Sequence, residues 1–194
     1  MMQGKLIIFS APSGAGKTTL VNFLLTRDLK IAFSVSATSR KKRPYEVEGK
    51  DYYFISADEF KEKIKNDEFL EWEEVYRDHY YGTLKSEIER IWSVGLNVIL
   101  DVDVKGGLNI KKKYGGRALS VFIMPPSVKE LEKRLIKRST ESIGKLKGRI
   151  AKAEAELKHA GEFDVIIIND NLEKAKRETL VTVTGFLKQP YQSS

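Results

Sequence analysis

The chain contains no cysteine, which excludes disulfides and thiolate–metal sites. No apolar run approaches the roughly 20 residues that a membrane-spanning helix requires. The first residues lead directly into what reads as a core strand; the apolar segment is too short for a signal peptide and has no cleavage signature. A cytoplasmic location is therefore expected by elimination. Internal repeats and low-complexity segments are also missing. What is present is 194 residues, 41% hydrophobic and 31% charged, a globular composition long enough for one α/β domain with inserted subdomains. The net charge of +7 fits nucleic acid or small polyanions, and charge alone does not choose between them.

The most informative segment is Phe9-Ser10-Ala11-Pro12-Ser13-Gly14-Ala15-Gly16-Lys17-Thr18-Thr19. It follows the apolar run Leu6–Phe9 and precedes the helical pattern Thr18–Thr26, the strand–loop–helix setting of a phosphate-binding loop. Glycines let successive backbone N–H groups face one anion, and the helix N-terminus adds its dipole and unpaired donors. Lys17 supplies a point charge for the outer phosphates, and the Thr18 hydroxyl is placed to hold Mg²⁺. The motif departs from GxxxxGK[ST] only at its first position, Ala11. The segment predicts a Mg²⁺–nucleoside triphosphate site.

Further strands are expected over Asn97–Val102, Leu119–Met124 and Val165–Ile168, with a weaker one over Ile31–Val35. Helical patterns run over Leu84–Trp92, Val128–Lys137, Ile150–His159 and Leu172–Leu187. Alternation of this kind predicts an α/β fold with a parallel sheet flanked by helices. Residues 34–83 break the rhythm. They hold a short helical pattern, Ala57–Lys65, and the alternating stretch Glu68–Tyr76, a half-exposed strand by its period of two. They read as a mixed-sheet insertion. The basic segment Arg138–Arg149 joins two helical patterns, either as a mobile lid over phosphates or as a solvated loop.

Four groups have residue types suited to chemistry. Val98–Asp103 is an apolar strand ending in carboxylates, where ligands sit in open α/β sheets. Asp101 or Asp103 can hold a water of a Mg²⁺ shell or pair with Lys17. Thr38–Pro44 is a basic cluster, read as a solvated charge run, a nucleic-acid patch or a clamp for a second phosphate. Arg40 and Arg43 suit the clamp through forked contacts. Glu68, Glu71 and Glu73 are most simply surface carboxylates, and Tyr80–Thr83 a turn with packed aromatics.

Taken in order, Ser10–Thr19, Phe33–Arg40 with Arg43, Gly49–Tyr52, Glu68–Trp72, Tyr81–Thr83, Ile99–Asp103, Arg138 with Arg149, and Ile168–Asp170 resemble the guanylate kinase family in its bacterial form, over nearly the whole chain. The resemblance implies a P-loop NTPase-like core over 1–33, 84–125 and 151–194, a GMP-binding insertion over 34–83 and a lid region over 126–150, closing on one another. It implies the reaction ATP + GMP ⇌ ADP + GDP with Mg²⁺ as cofactor. ATP and GMP are the implied partners, with dGMP as a further acceptor to weigh, and with no nucleic acid and no membrane; self-association as a homo-oligomer stays open.

Carried over by position, Ala11, Pro12, Ser13, Gly14, Ala15, Gly16, Lys17, Thr18 and Thr19 bind the ATP phosphates. Arg134 and Asn169 line the adenine side. Arg40, Arg43, Tyr52 and Tyr81 hold the GMP phosphate, and Ser36, Glu71 and Thr83 read guanine. Asp103 joins the GMP set. Thr18 holds Mg²⁺, with Asp101 reaching it through water. Lys17, Arg134, Arg138 and Arg149 stabilise the transferring phosphoryl, and Arg134 also stacks on adenine. The chain departs from the family pattern at Ser139, commonly Gly there, and over Thr140–Lys145, which lacks the usual acidic character. Two alternatives remain beside this reading. One is a non-catalytic guanylate kinase-like protein-interaction module, against which the intact Gly14, Gly16, Lys17 and Thr18 speak. The other is a P-loop kinase for another nucleotide, against which Glu71 with Thr83 speaks.

Overall fold

The computed structural model describes residues 4–138 and 143–190. The chain divides into two compact units, one of Lys5–Leu29 with Ile99–Ser194, the other of Met1–Gly4 with Lys30–Val98.

The first unit is built on strand β1 (Leu6–Ser10), all five residues of which are buried. A strand buried on both faces reads as an unbroken apolar run, which is what Leu6-Ile7-Ile8-Phe9 is. The chain then turns through the phosphate-loop motif into helix α1 (Lys17–Leu25), which buries Leu20, Val21 and Leu24. With β7 (Asn97–Asp101), β8 (Ala118–Met124) and β9 (Val165–Ile168), and with β2 (Ile31–Phe33), which is counted with the other unit, the strand order is β2-β7-β1-β8-β9. β1 pairs in parallel with β8, Leu6 opposite Ala118, and β8 with β9, Val121 opposite Val165. The boundary between the two units falls within β7.

Helix α4 (Val104–Tyr114) follows β7 and has no clear signal in the sequence, because Gly106 and Gly107 weaken the pattern. Gly107 is required by packing: a Cβ there would stand 2.5 Å from Ser10 Oγ. Helices α5 (Val128–Arg138), α6 (Ile143–Leu157) and α7 (Leu172–Lys188) complete the unit. Leu131 and Leu135 of α5 bury against Ala153 of α6, with Ile150 packed beside them. The helix α6 starts at Ile143, so the second half of the basic segment 138–149 is helical rather than a loop. Residues 139–142, with Ser139, lie outside the described residues.

The second unit carries a mixed sheet of β3 (Ala37–Thr38), β4 (Tyr53–Phe54), β5 (Phe69–Tyr76) and β6 (His79–Leu84), in the order β4-β3-β6-β5. β3 and β4 are parallel, whereas β3·β6 and β5·β6 are antiparallel. Tyr80–Thr83, read from sequence as a turn, is strand β6. The turn of the hairpin is Arg77-Asp78, with Asp78 at φ +61°, a conformation that Asp tolerates better than most residues. No Asn-Gly or Asp-Gly pair marks it, which is why the sequence does not announce it. Helix α2 (Ala57–Lys65) is capped by Ser56, whose hydroxyl accepts from the Glu59 N–H at 3.0 Å. It packs Phe60 onto Phe69 and Tyr80 in a stacked aromatic core that includes Ala37. Helix α3 (Lys85–Ser93) belongs to the same unit. Its buried Glu87 accepts from the Val35 N–H and from the Tyr53 hydroxyl, and pairs with Arg90. Burial pushes the Glu87 carboxyl up, but Arg90 and the Val35 N–H outweigh it and hold it below its ordinary value. No described helix is long and apolar enough to cross a membrane.

Candidate active site

In the first unit the phosphate-loop residues Ala11–Gly16 connect β1 to α1. Gly14 and Gly16 adopt φ +92° and +98°, a region open to glycine and strained for other residues. Gly16 stands at the N-cap position of α1, and its side cannot supply a capping oxygen. The N–H groups at this helix end are therefore available to an anion. The loop's own turn is closed by Ala15 N–H on the Pro12 carbonyl at 3.1 Å. Thr18 and Thr19 are exposed in the first turn of α1.

Lys17 reaches across to the end of β7. Its ammonium pairs with Asp101 and donates to the Val102 carbonyl at 3.0 Å. Of the two carboxylates at the end of this strand, Asp101 is the lysine's partner. Asp103 is the N-cap of α4, accepting from the Gly106 N–H at 2.6 Å, while its carbonyl accepts from Ser10 Oγ at 3.0 Å. Arg149 of α6 donates to Ser13 Oγ at 2.7 Å, which brings one arginine of the basic segment onto the phosphate loop. Arg138 is the last residue of α5; its side chain lies outside the described residues. Arg134 donates to Glu130 at 3.2 Å and to the Asn169 carbonyl at 3.3 Å. Asn169 is buried, and its amide donates to the Ala15 carbonyl at 2.8 Å. Glu156 of α6 is a carboxylate the sequence did not single out. Burial pushes it above its ordinary value, with Asp103 adding to the shift and Lys152 and Lys17 opposing it.

The second unit gathers the other set. Arg40 donates to Glu46 from both terminal nitrogens, at 2.7 and 2.5 Å, and to the Tyr81 hydroxyl from Nε at 3.1 Å. Its guanidinium lies 5.0 Å from the Tyr52 ring centroid and 5.5 Å from that of Phe54, within range of cation–π attraction. Tyr52 and Tyr81 meet edge to face at 5.9 Å. Arg43 presents its backbone N–H to Glu46 at 2.8 Å and its side chain to the Tyr45 hydroxyl at 3.1 Å. Hydrogen bonding from Arg40 is the main cause that lowers the Glu46 carboxyl from 4.5 to about 2, and the same contact raises Arg40. Sequence reasoning missed Glu46. Its signal was a lone acid, three and six residues past two arginines in a basic run.

Glu71 and Thr83 face each other across the β5·β6 pair, and the Thr83 hydroxyl donates to Glu71 at 2.7 Å. Thr83 is fully buried. Tyr81 and Thr83 are two apart on one strand and so share a face, about 7 Å from one another along the strand. Tyr81, the partner of Arg40, and the Glu71–Thr83 carboxylate–hydroxyl pair thus lie along one face of one hairpin. Ser36 enters the sheet through its carbonyl, which accepts from the Tyr53 N–H at 2.9 Å.

The family model described as Guanylate kinase matches residues 3–183. The guanylate kinase of Bacteroides thetaiotaomicron is 55% identical over 188 residues, covering 97% of this chain and 92% of that one. The guanylate kinase of Porphyromonas gingivalis is 52% identical over 184 residues, covering 94% of this chain and 98% of its own. Among solved structures, the guanylate kinase of Anaplasma phagocytophilum superposes with a TM-score of 0.75 at 28% identity, covering 97% of this chain and 89% of that one. Matched by the family model along most of its length, and by relatives at more than half identity over nearly all of it, this chain belongs to the guanylate kinase family.

Proposed function

We propose the following division of labour for the transfer of the γ-phosphoryl group of ATP to GMP, giving ADP and GDP. The observation that carries it is the pairing of Glu71 with Thr83 two rungs from the Arg40–Tyr81 contact. One face of one hairpin then offers groups for a phosphate and groups for a base.

Guanine presents N1–H and N2–H₂ as donors and O6 as an acceptor. The Glu71 carboxylate accepts from both donors, and the Thr83 hydroxyl, which donates to Glu71 in this structure, turns its proton to O6. Adenine would place a lone pair against the carboxylate. A buried polar site rejects a base that leaves its groups unpaired by roughly 10⁴-fold or more. Arg40, Arg43, Tyr52 and Tyr81 hold the GMP phosphate, with Arg40 steadied by Glu46.

On the ATP side, the N–H groups of Gly14–Thr19 cradle the phosphates, and Lys17 moves its charge from Asp101 toward the β- and γ-phosphates. The Thr18 hydroxyl and the Asp101 carboxylate are hard oxygen donors of the kind Mg²⁺ takes in company with water and substrate phosphates. They fit that ion: Thr18 would ligate it directly and Asp101 through water. Held there, it would supply positive charge against the ATP phosphates. Arg138 and Arg149 add positive charge where the equatorial oxygens of the transferring group develop theirs. No general base is needed, because the GMP phosphate is itself an anionic nucleophile. In-line positioning and charge carry the rate. Asp103, as the cap of α4, holds the end of β7 in place beside Lys17.

The test is a coupled assay of ADP release with GMP, dGMP, AMP, CMP and UMP as acceptors. GMP is expected to lead AMP, CMP and UMP by several orders of magnitude. Comparable turnover with AMP would overturn the assignment of Glu71 and Thr83.

A further inference from the structure

Asn169 occupies a position whose geometry is not that of a side chain waiting for a base. It is 7% exposed, and its amide nitrogen is 2.8 Å from the carbonyl of Ala15, inside the phosphate loop. Its own backbone is tied down by its N–H on the Met124 carbonyl at 2.8 Å, at the end of β8. The contact with the loop is close enough that a Cβ on Gly16 would fall well inside van der Waals contact of the Asn169 amide. Gly16 is thus glycine for two reasons, its positive φ and the approach of Asn169.

The consequence lies in the peptide unit between Ala15 and Gly16. In a planar trans peptide the C=O and the following N–H point in opposite directions. Fixing the Ala15 carbonyl on Asn169 therefore aims the Gly16 N–H the other way, away from Asn169. A buried carbonyl left without this donor would favour a rotated peptide, and the rotation would turn a donor away from the phosphates. The Asn169 carbonyl in turn receives Arg134 at 3.3 Å. One residue at the end of β9 therefore connects the loop to the arginine on α5.

We propose that Asn169 is a positioning residue for the phosphate loop, setting the Ala15–Gly16 peptide so that the Gly16 N–H is presented to the polyphosphate. This deepens the ATP-site assignment above and rests on it. It differs from an adenine contact in one measurable way: its effect does not need a base.

The experiment uses inorganic tripolyphosphate beside ATP, titrated calorimetrically into the full chain and into Asn169→Ala and Asn169→Leu, the second of which keeps the branched skeleton and removes the donor. Loss of the pin should weaken ATP and tripolyphosphate by the same factor, about tenfold, in both variants. GMP affinity and the KM for GMP at saturating ATP should stay within twofold, and the KM for ATP should rise; general loss of structure would lower GMP binding as well. Should ATP weaken while tripolyphosphate does not, Asn169 acts on the base and the proposal falls. It falls equally if neither ligand is affected. A parent chain that binds GMP but neither ATP nor tripolyphosphate would overturn the ATP-site assignment itself, a result distinct from failure of the pin.

Discussion

Arg40 grips the buried carboxylate of Glu46 through both terminal nitrogens, at 2.7 and 2.5 Å, while its Nε reaches the Tyr81 hydroxyl. The arginine we propose for the GMP phosphate thus has an internal anion as its partner. The arrangement costs attraction, since Glu46 offsets the charge of Arg40, and contributes orientation, since a long side chain is held in one rotamer across the Tyr52 ring. Orientation should win, because a fork loses most of its value when it is free to turn. Glu46→Gln is expected to raise the KM for GMP about tenfold, although it removes a negative charge from a phosphate site. Steady-state kinetics with GMP varied at saturating ATP decide it. A lower KM would mean that charge, not placement, governs.

The same pair gives the fold a dependence on acid. The Glu46 carboxyl is held at about 2, against an ordinary value of 4.5, chiefly by hydrogen bonds from Arg40. A carboxyl lowered in the folded state binds its proton less readily there than in the unfolded chain. Its contribution is present in full above pH 4.5 and is lost as the pH falls toward 2. The difference in Tm between the parent chain and Glu46→Gln should therefore shrink steadily from pH 5 to pH 2. A difference that stays constant over that range would show that the pair does not titrate as a unit.

Lys17 shows a second internal partner, Asp101, with the Val102 carbonyl beside it. The resting contact keeps the ammonium at the mouth of the loop. Lys17→Ala should lower kcat by roughly 10³-fold or more, as loss of a transition-state cation does, and leave GMP affinity within twofold. Turnover near that of the parent chain would remove the ATP-site assignment.

Much of this was legible in the sequence, and the parts that were not share a physical cause. β1 and β8 are buried on both faces, so their apolar runs stand out, and the phosphate loop carries its glycines in fixed places. The alternation over Glu68–Tyr76 marked β5 because one face of that sheet is wet. β6 was hidden: Tyr80-Tyr81-Gly82-Thr83 has aromatics and a glycine, the makings of a turn, and only the register with β5 makes it a strand. Gly82 sits where a Cβ would meet the Glu71 carbonyl at 2.7 Å, a reason that is tertiary and invisible locally. Helix α4 was hidden by Gly107, which is there to let the helix approach Ser10. Glu46 escaped for the same kind of reason, since it is defined by its partner in space and not by its neighbours in the chain; Asn169 was named only through the family resemblance, and its contact with the Ala15 carbonyl is tertiary.

Arg149 rests on Ser13 at 2.7 Å, a neutral partner at the edge of the loop. A hydroxyl contact is weaker than charge-assisted contacts to phosphate oxygens. Arg149→Ala should lower kcat far more than it raises the KM for GMP, because charge used chiefly in the transition state is read in kcat. Ser13→Ala should leave kcat within threefold. Arg138→Ala, at the end of α5, should behave as Arg149→Ala does. If kcat is unchanged in both arginine variants, the basic segment is a solvated surface.

The sharpest test of guanine selection is Glu71→Gln. The substitution keeps the size of the side chain and its place opposite Thr83 on the β5·β6 pair. It changes what the group can do. The amide oxygen still accepts one guanine donor, but the NH₂ then faces the other donor unless it turns away. Before GMP binds, the Thr83 hydroxyl, 2.7 Å from Glu71, keeps an acceptor only if the amide oxygen is the atom turned toward it. Loss of a charge-assisted contact to two donors should cost about 2–4 kcal/mol in kcat/KM for GMP, or roughly 30- to 1000-fold. AMP gains nothing from the carboxylate and should lose far less. The ratio of kcat/KM for GMP to that for AMP should therefore collapse even while AMP remains a poor substrate. Thr83→Val, which removes the hydroxyl and keeps the shape, should lower the same ratio through O6 alone and by less than Glu71→Gln. A ratio within threefold of the parent chain in the Glu71 variant would return Glu71 to the surface carboxylates and place the reading of guanine elsewhere on the hairpin.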